Sequence, residues 1–157
     1  MKDAHRSPTT KIAGARLLVV VAPYYKDVAN MLLEGAQVAA REAEATLEIV
    51  TVPGAFEIPG AIALAIRTGA YDGFIALGCV VRGETSHYDY VCGESARGLM
   101  ELSIRKRASI GYGILTVNTL AQAEERADPR RGDKGGESVR ACAAMIALKR
   151  KFGEMMQ

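Results

Sequence analysis

The stretch LLVVVAPYYKDVANMLLEGAQVAAREAEA, residues 17–45, contains the two periodicities that decide the fold. Residues 17–22 form a short, uninterrupted apolar run rich in β-branched side chains, as a buried strand requires. From Val28 to Ala45 the apolar positions recur at helical spacing, with Gly35 as the only internal breaker. The unit is a strand followed by a helix. The same unit recurs along the chain: LEIVTV (47–52) precedes EIPGAIALAIRTG, FIALGCVV (74–81) precedes YDYVCGESARGLMELSIRKR, and IGYGILTV (110–117) precedes two more helical stretches. Strands that are apolar on both faces need helices on both sides, which predicts an α/β protein: a three-layer α/β/α sandwich around a four-stranded parallel sheet. Right-handed crossovers follow from strand twist.

A chain of 157 residues with 49% hydrophobic content has material for one core and no room for a second domain. Residues 1–12, polar and containing Pro8, read as an N-terminal segment that is either disordered or an arm added to a neighbour's sheet edge. Residues 13–157 read as the single domain. The segment ADPRRGDKGG, residues 127–136, is read as a charged loop between the last two helices. Abundant alanine and glycine, no tryptophan and few aromatic residues suggest closely packed helices rather than a stacking surface for bases. The formal charge of +2 supplies no broad field for a polyanion, so nucleic acid is not an expected partner.

Cys79, Cys92 and Cys142 form no C-x-x-C pair and leave an odd thiol, against both a secreted disulfide framework and a zinc site. The first fifteen residues contain no apolar run long enough for a signal peptide, and no later segment has the length of a membrane span. A cytoplasmic protein is expected.

In an open parallel sheet, ligands bind beyond the carboxyl ends of the strands. Four stretches lie there: Pro23–Lys26, Pro53–Glu57, Arg82–His87 and the residues from Asn118 onward. In GCVVRGETSHYDYV, residues 78–91, Gly83 permits a turn and Thr85 or Ser86 can cap a helix starting near His87. Ser86 and Asp89 have capping-box spacing. Free backbone N–H groups at such a helix start, reinforced by its dipole, suit a phosphate. An imidazole beside them can accept and return a proton. An ordinary capped helix with a surface histidine fits this local sequence equally well. In VPGAFEIPGA, residues 52–61, Glu57 and the nearby N–H groups suit a polyol, while a carboxylate favoured by a helix start is the plainer account. Tyr24 or Tyr25 can stack on a flat heterocycle or simply pack. Arg126, Arg130, Arg131 and Lys134 can neutralise a phosphate or form a solvated loop. The GDKGG run lacks the Walker spacing and does not follow a strand.

Taken together and in this order, VPGAFEIPGA, GCVVRGETSHYDYVC and GDKGGESVRACAAM closely resemble the lumazine synthase family, over residues 13–155. The resemblance implies a flavodoxin-like fold and a transferase of riboflavin biosynthesis. Such an enzyme joins 5-amino-6-(D-ribitylamino)uracil to 3,4-dihydroxy-2-butanone 4-phosphate without metal or organic cofactor. It implies Tyr24 as the ring that stacks on the pyrimidine and Ala55, Phe56 and Glu57 as the segment holding the ribityl chain. Cys79, Val80 and Val81 match the strand end bordering the ring, Glu84 and Thr85 the phosphate turn, and His87 the proton-transfer residue. Tyr112, Arg126 and Lys134 are implied to come from a neighbouring subunit, with the protein a pentamer or an assembly of pentamers. A non-catalytic flavin-binding or scaffold relative, and more distantly a flavodoxin-type electron carrier, are the competing classes. Two departures stand out: Pro23 where many family members have arginine, and Tyr24 where phenylalanine or tryptophan is commoner. Asp128-Pro129-Arg130-Arg131 departs from the glycine-rich loop of shell-forming members, which favours a free pentamer.

Overall fold

The computed structural model describes residues 6–156. Four strands, β1 (Arg16–Val21), β2 (Thr46–Thr51), β3 (Gly73–Val81) and β4 (Ile110–Val117), alternate with five helices: α1 (Lys26–Glu42), α2 (Ile58–Ile66), α3 (His87–Arg105), α4 (Leu120–Ala127) and α5 (Lys134–Met155). The sheet is wholly parallel, in the order β2-β1-β3-β4. This is the flavodoxin-like α/β arrangement the sequence predicts, with strand boundaries shifted by a residue or less.

The period-2 alternation of β1 and β3 separates two cores. Leu17, Val19 and Val21 pack with Ile75, Leu77, Leu115 and Val117 beneath α1, α4 and α5. Leu18 and Val20 pack with Phe74, Ala76 and Ile114 beneath α2 and α3. The β2 strand departs from the expectation of strands buried on both faces. It forms one edge of the sheet, and Ile49 and Val50 remain 39% and 38% exposed. Glu48 and Thr51 break its apolar run where β1 has no such break, and β2 has a strand neighbour on one side only.

The small residues predicted to allow tight helix packing lie mainly where α1 meets α5. Gly35, Ala36, Ala39 and Ala40 on α1 are buried, as are Gly135 and Gly136 in the first turn of α5. The segment read as a loop over 127–136 is therefore shorter, because Lys134–Gly136 already belong to the helix. Glycine there reflects close approach of two backbones rather than a turn.

Of the N-terminal segment, residues 1–5 lie outside the described residues, and residues 6–12 form no strand. Ser7 donates from its N–H and its Oγ to the Glu137 carboxylate (3.0 and 2.9 Å). Ile12 is fully buried and its N–H reaches the Ala43 carbonyl at 2.9 Å. No described helix is long and apolar enough to cross a membrane.

Candidate active site

The chain leaves β1 towards α1 and β2 on one side, then passes over to β3 on the other, so the strand order reverses between β1 and β3. A crevice opens there beyond the carboxyl ends. It is a cleft of about 640 Å³ lined by Tyr24, Tyr25, Pro53–Glu57, Cys79–Val81, His87, Tyr90 and Val91. Eight predicted residues meet in it: Tyr24, Ala55, Phe56, Glu57, Cys79, Val80, Val81 and His87.

Each wall has a local cause. After β2, Gly54 is extended and Ala55–Glu57 form one 3-10 turn, closed by Glu57 N–H to the Gly54 carbonyl at 3.1 Å. Pro59 then sits in the first turn of α2, where its missing N–H costs nothing. The turn buries Ala55, leaves Phe56 59% exposed at the mouth, and leaves the Glu57 carboxylate without a partner among the described residues. Across the cleft, Tyr24 is 75% exposed and packs edge-on against Tyr25, with ring centroids 5.0 Å apart. Cys79, Val80 and Val81 are the half-buried last residues of β3 and form the floor.

The β3–α3 turn supplies the polar end. Arg82 fixes it: its N–H bonds the Val117 carbonyl (2.9 Å), its Nε donates to Asn118 Oδ1 (3.0 Å), and its guanidinium pairs with Asp89 (3.7 Å) over the Tyr88 ring. The capping box read at Ser86 and Asp89 does not form. Ser86 adopts helical backbone angles, from which its hydroxyl does not reach the N–H of Asp89, and the Asp89 carboxylate faces Arg82 instead. Thr85 takes over in part, its Oγ1 accepting from the His87 N–H at 3.3 Å. The N–H groups of Gly83, Glu84, Thr85 and Ser86 have no acceptor among the described residues. Four N–H groups without an acceptor among the described residues thus directly precede the helix start at His87, which itself lines the cleft.

Tyr90 and Val91, overlooked in the sequence, line the cleft one turn along α3 from His87. The i+3 and i+4 spacing from His87 was the available signal. Glu84, Thr85, Tyr112, Arg126 and Lys134 are not among the lining residues, Glu84 and Thr85 lying in the turn just before His87. Tyr112 is the third residue of β4, pairing with Ala76 in register, and its half-buried phenol lies on the α3 side of the sheet near Tyr88 and Cys92. Arg126 is in the last turn of α4, its guanidinium on the Gln122 carbonyl (3.1 Å), and Lys134 opens α5. Both belong to the layer of helices on the opposite side of the sheet from α2 and α3. Within one chain, the free N–H groups therefore face no cation from the cleft lining.

The sequence model of 6,7-dimethyl-8-ribityllumazine synthase matches residues 14–150. The chain belongs to the lumazine synthase family. It is 54% identical to the 6,7-dimethyl-8-ribityllumazine synthase of Methylobacterium radiotolerans, over 94% of this chain and 91% of that one. It is 53% identical to the enzyme of the same name from Methylocella silvestris, over 91% and 90%. It is 48% identical to 6,7-dimethyl-8-ribityllumazine synthase 1 of Rhodopseudomonas palustris, over 98% and 99%. A lumazine synthase relationship thus extends over nearly the full length, every wall of the cleft included.

The thiol in the floor is chemically quiet. Burial, reinforced by the nearby Cys92, pushes the Cys79 pKa up to about 11, and burial takes that of Cys142 to about 12. A thiol reacts through its thiolate, and a two-unit rise lowers that fraction by ~100-fold near neutral pH. Iodoacetamide at pH 7.5 is therefore expected to modify Cys79 far more slowly than a free cysteine, with the rate still climbing above pH 10. Peptide mapping after timed alkylation checks this, and complete modification of Cys79 within minutes at pH 7.5 contradicts it.

Proposed function

We infer that this protein is a transferase that condenses 5-amino-6-(D-ribitylamino)uracil with 3,4-dihydroxy-2-butanone 4-phosphate to 6,7-dimethyl-8-ribityllumazine, releasing phosphate and water, in the penultimate step of riboflavin biosynthesis. The observation that carries this reading is the cleft itself. His87 lines it directly after four backbone N–H groups without an acceptor among the described residues, and an exposed aromatic ring and a carboxylate without a partner belong to the same lining.

The chemistry assigns each end a task. The uracil's primary amine attacks the butanone carbonyl to give an imine with loss of water. Phosphate leaves, and the second amine closes the ring with loss of another water. Orientation of two reactants and proton movement account for most of what the protein must do. Tyr24 stacks on the pyrimidine, and Ala55, Phe56 and Glu57 hold the ribityl chain through backbone groups and the Glu57 carboxylate. Cys79, Val80 and Val81 border the ring. The N–H groups around Glu84 and Thr85 bind the phosphate, so the Glu84 side chain is free to face away, and His87 moves protons between the reacting nitrogen and oxygen atoms.

One chain leaves this site incomplete, because the cation of the phosphate turn, Arg82, is engaged by Asp89 and Asn118. Arg126 and Lys134 of a neighbouring subunit supply cations for the phosphate, with Tyr112 alongside, which makes the working unit a pentamer or an assembly of pentamers in the cytoplasm. The open edge of β2, with Ile49 and Val50 exposed, suits the N-terminal segment of a neighbour as an added strand.

The test is to purify the assembled particle, size it by light scattering, and mix it with both substrates while following lumazine fluorescence. Product well above the spontaneous reaction, from a particle of five subunits or a multiple of five, is the expected result. Fluorescence at the spontaneous rate supports a binding protein instead, and an active monomer removes the shared site.

A further inference from the structure

The turn before α5 contains a residue in an unfavourable conformation, held by a buried ion pair that the reaction does not itself use. Asp133 adopts left-handed backbone angles (φ 48°, ψ 45°), which few residues other than glycine, asparagine and aspartate tolerate. Its N–H donates to the Asp128 carbonyl (3.0 Å) and its carbonyl accepts from Glu137 N–H (2.8 Å), so the turn is closed on both sides. Its carboxylate is buried and accepts from Arg140 at 2.7 Å. The Arg140 guanidinium, 4% exposed, also binds Glu137 at 2.9 and 3.0 Å.

Burying a guanidinium carries a large desolvation penalty, so such a pair stands out as a specifying device more than as a source of stability. What it specifies is the path of the chain at one peptide. Lys134 follows Asp133 directly, so the pair fixes the Cα from which the lysine departs. The preceding residue, Gly132, donates to the Glu125 carbonyl (3.0 Å) and lies so close to the Arg126 backbone that a side chain there would collide with it. The turn is thereby joined to the end of α4, and Arg126 and Lys134 are held in one rigid unit.

We propose that Arg140, acting through Asp133, is a positioning residue that sets the geometry of the Arg126–Lys134 cation pair presented to the phosphate-bearing substrate. This rests on the reading of Arg126 and Lys134 given under Proposed function. Arg140 touches no substrate.

The experiment compares Arg140→Met, Arg140→Lys, Asp133→Asn and Lys134→Ala in the assembled protein, measuring kcat, both substrate KM values and Tm. In Arg140→Met, the KM for the butanone phosphate rises by roughly tenfold, while the KM for the ribitylaminouracil stays within about twofold, since its contacts lie on the other chain. Arg140→Lys restores most of the loss, because a cation still meets Asp133. A purely structural role predicts a lower Tm with both KM values unchanged. That result in assembled Arg140→Met overturns the proposal, provided Lys134→Ala itself raises the butanone phosphate KM. If Arg140→Met does not assemble, Asp133→Asn decides by the same readout, as asparagine keeps the left-handed backbone and an acceptor without the charge. If Lys134→Ala leaves that KM unchanged, the assignment of Lys134 to the site falls, and this proposal with it.

Discussion

Gly135→Ala is expected to remove a large share of the stability of the subunit. A Cβ at this position would overlap the Leu32 carbonyl, whose carbon and oxygen belong to the backbone of α1 and have no alternative rotamer. The two helices would have to separate, and their seam does not permit this cheaply. It contains Leu32, Ala36, Ala39, Val139 and Ala143, all fully buried, and Gly136 and Gly35 are both pressed against the Asp133 carboxylate. Overpacking a core costs about 1–3 kcal/mol, and more when backbone must move. A loss of ~3 kcal/mol or more is a large share of the ~5–15 kcal/mol that holds a domain together. At roughly 2–4 °C per kcal/mol for a chain of this size, the melting temperature should fall by about 10 °C, with a matching loss of soluble yield. Gly153→Ala is the control. That glycine lies late in α5 with nothing near its missing Cβ, and alanine there should be neutral or stabilising by up to ~1 kcal/mol. Similar melting temperatures for the two variants would show that α1 and α5 can part without cost.

The same glycines show where sequence reading works and where it stops. The inner strands of this fold are legible because LLVVVA and the first part of FIALGCVV are buried on both faces, and a buried strand has no choice of composition. The cleft lies beyond the strand ends, so Tyr24, Ala55, Phe56, Glu57 and His87 fall in stretches that the strand pattern marks, while Cys79, Val80 and Val81 were marked by the family resemblance only. By contrast, GDKGG looks like a turn, since glycine next to charge marks turns in most chains. Here, contact between α1 and α5 overrides that local preference, and the helix starts at Lys134. The exposure of β2 was partly legible: the polar Thr46, Glu48 and Thr51 of TLEIVT already set it apart from the inner strand RLLVVV, and its place at the edge exposes Ile49 and Val50 as well. Ser86 and Asp89 share their spacing with Thr119 and Gln122, and only the second pair forms the capping box, because Thr119 is extended while Ser86 is helical. Spacing names candidates, and backbone angles choose between them. For Arg126 and Lys134 even a complete account of one chain is insufficient, as their suggested place of action lies on another copy.

His87→Ala is expected to lower kcat by about 10²-fold, at the lower end of the ~10²–10⁴ range for general acid–base catalysis, and to leave activity well above the spontaneous rate. The reason lies in what the substitution spares. The groups proposed to bind phosphate are backbone N–H groups of Gly83–Ser86, in a turn held by Arg82 rather than by the imidazole. Tyr24 and the Ala55–Glu57 turn stand on other elements. Both substrates should therefore still bind, with KM values within about threefold, and the orientation that brings amine and carbonyl together should survive. Only the proton relay is lost. His87→Gln separates the two contributions further, because the amide can donate or accept a hydrogen bond in the cleft but cannot carry a proton. If His87→Gln matches His87→Ala, proton transfer is the contribution, and if it matches wild type, hydrogen bonding is. Steady-state kinetics on both variants, with the spontaneous rate subtracted, give the answer. A kcat within about twofold of wild type for His87→Ala would remove the imidazole from the chemistry and leave positioning as the whole of the catalysis.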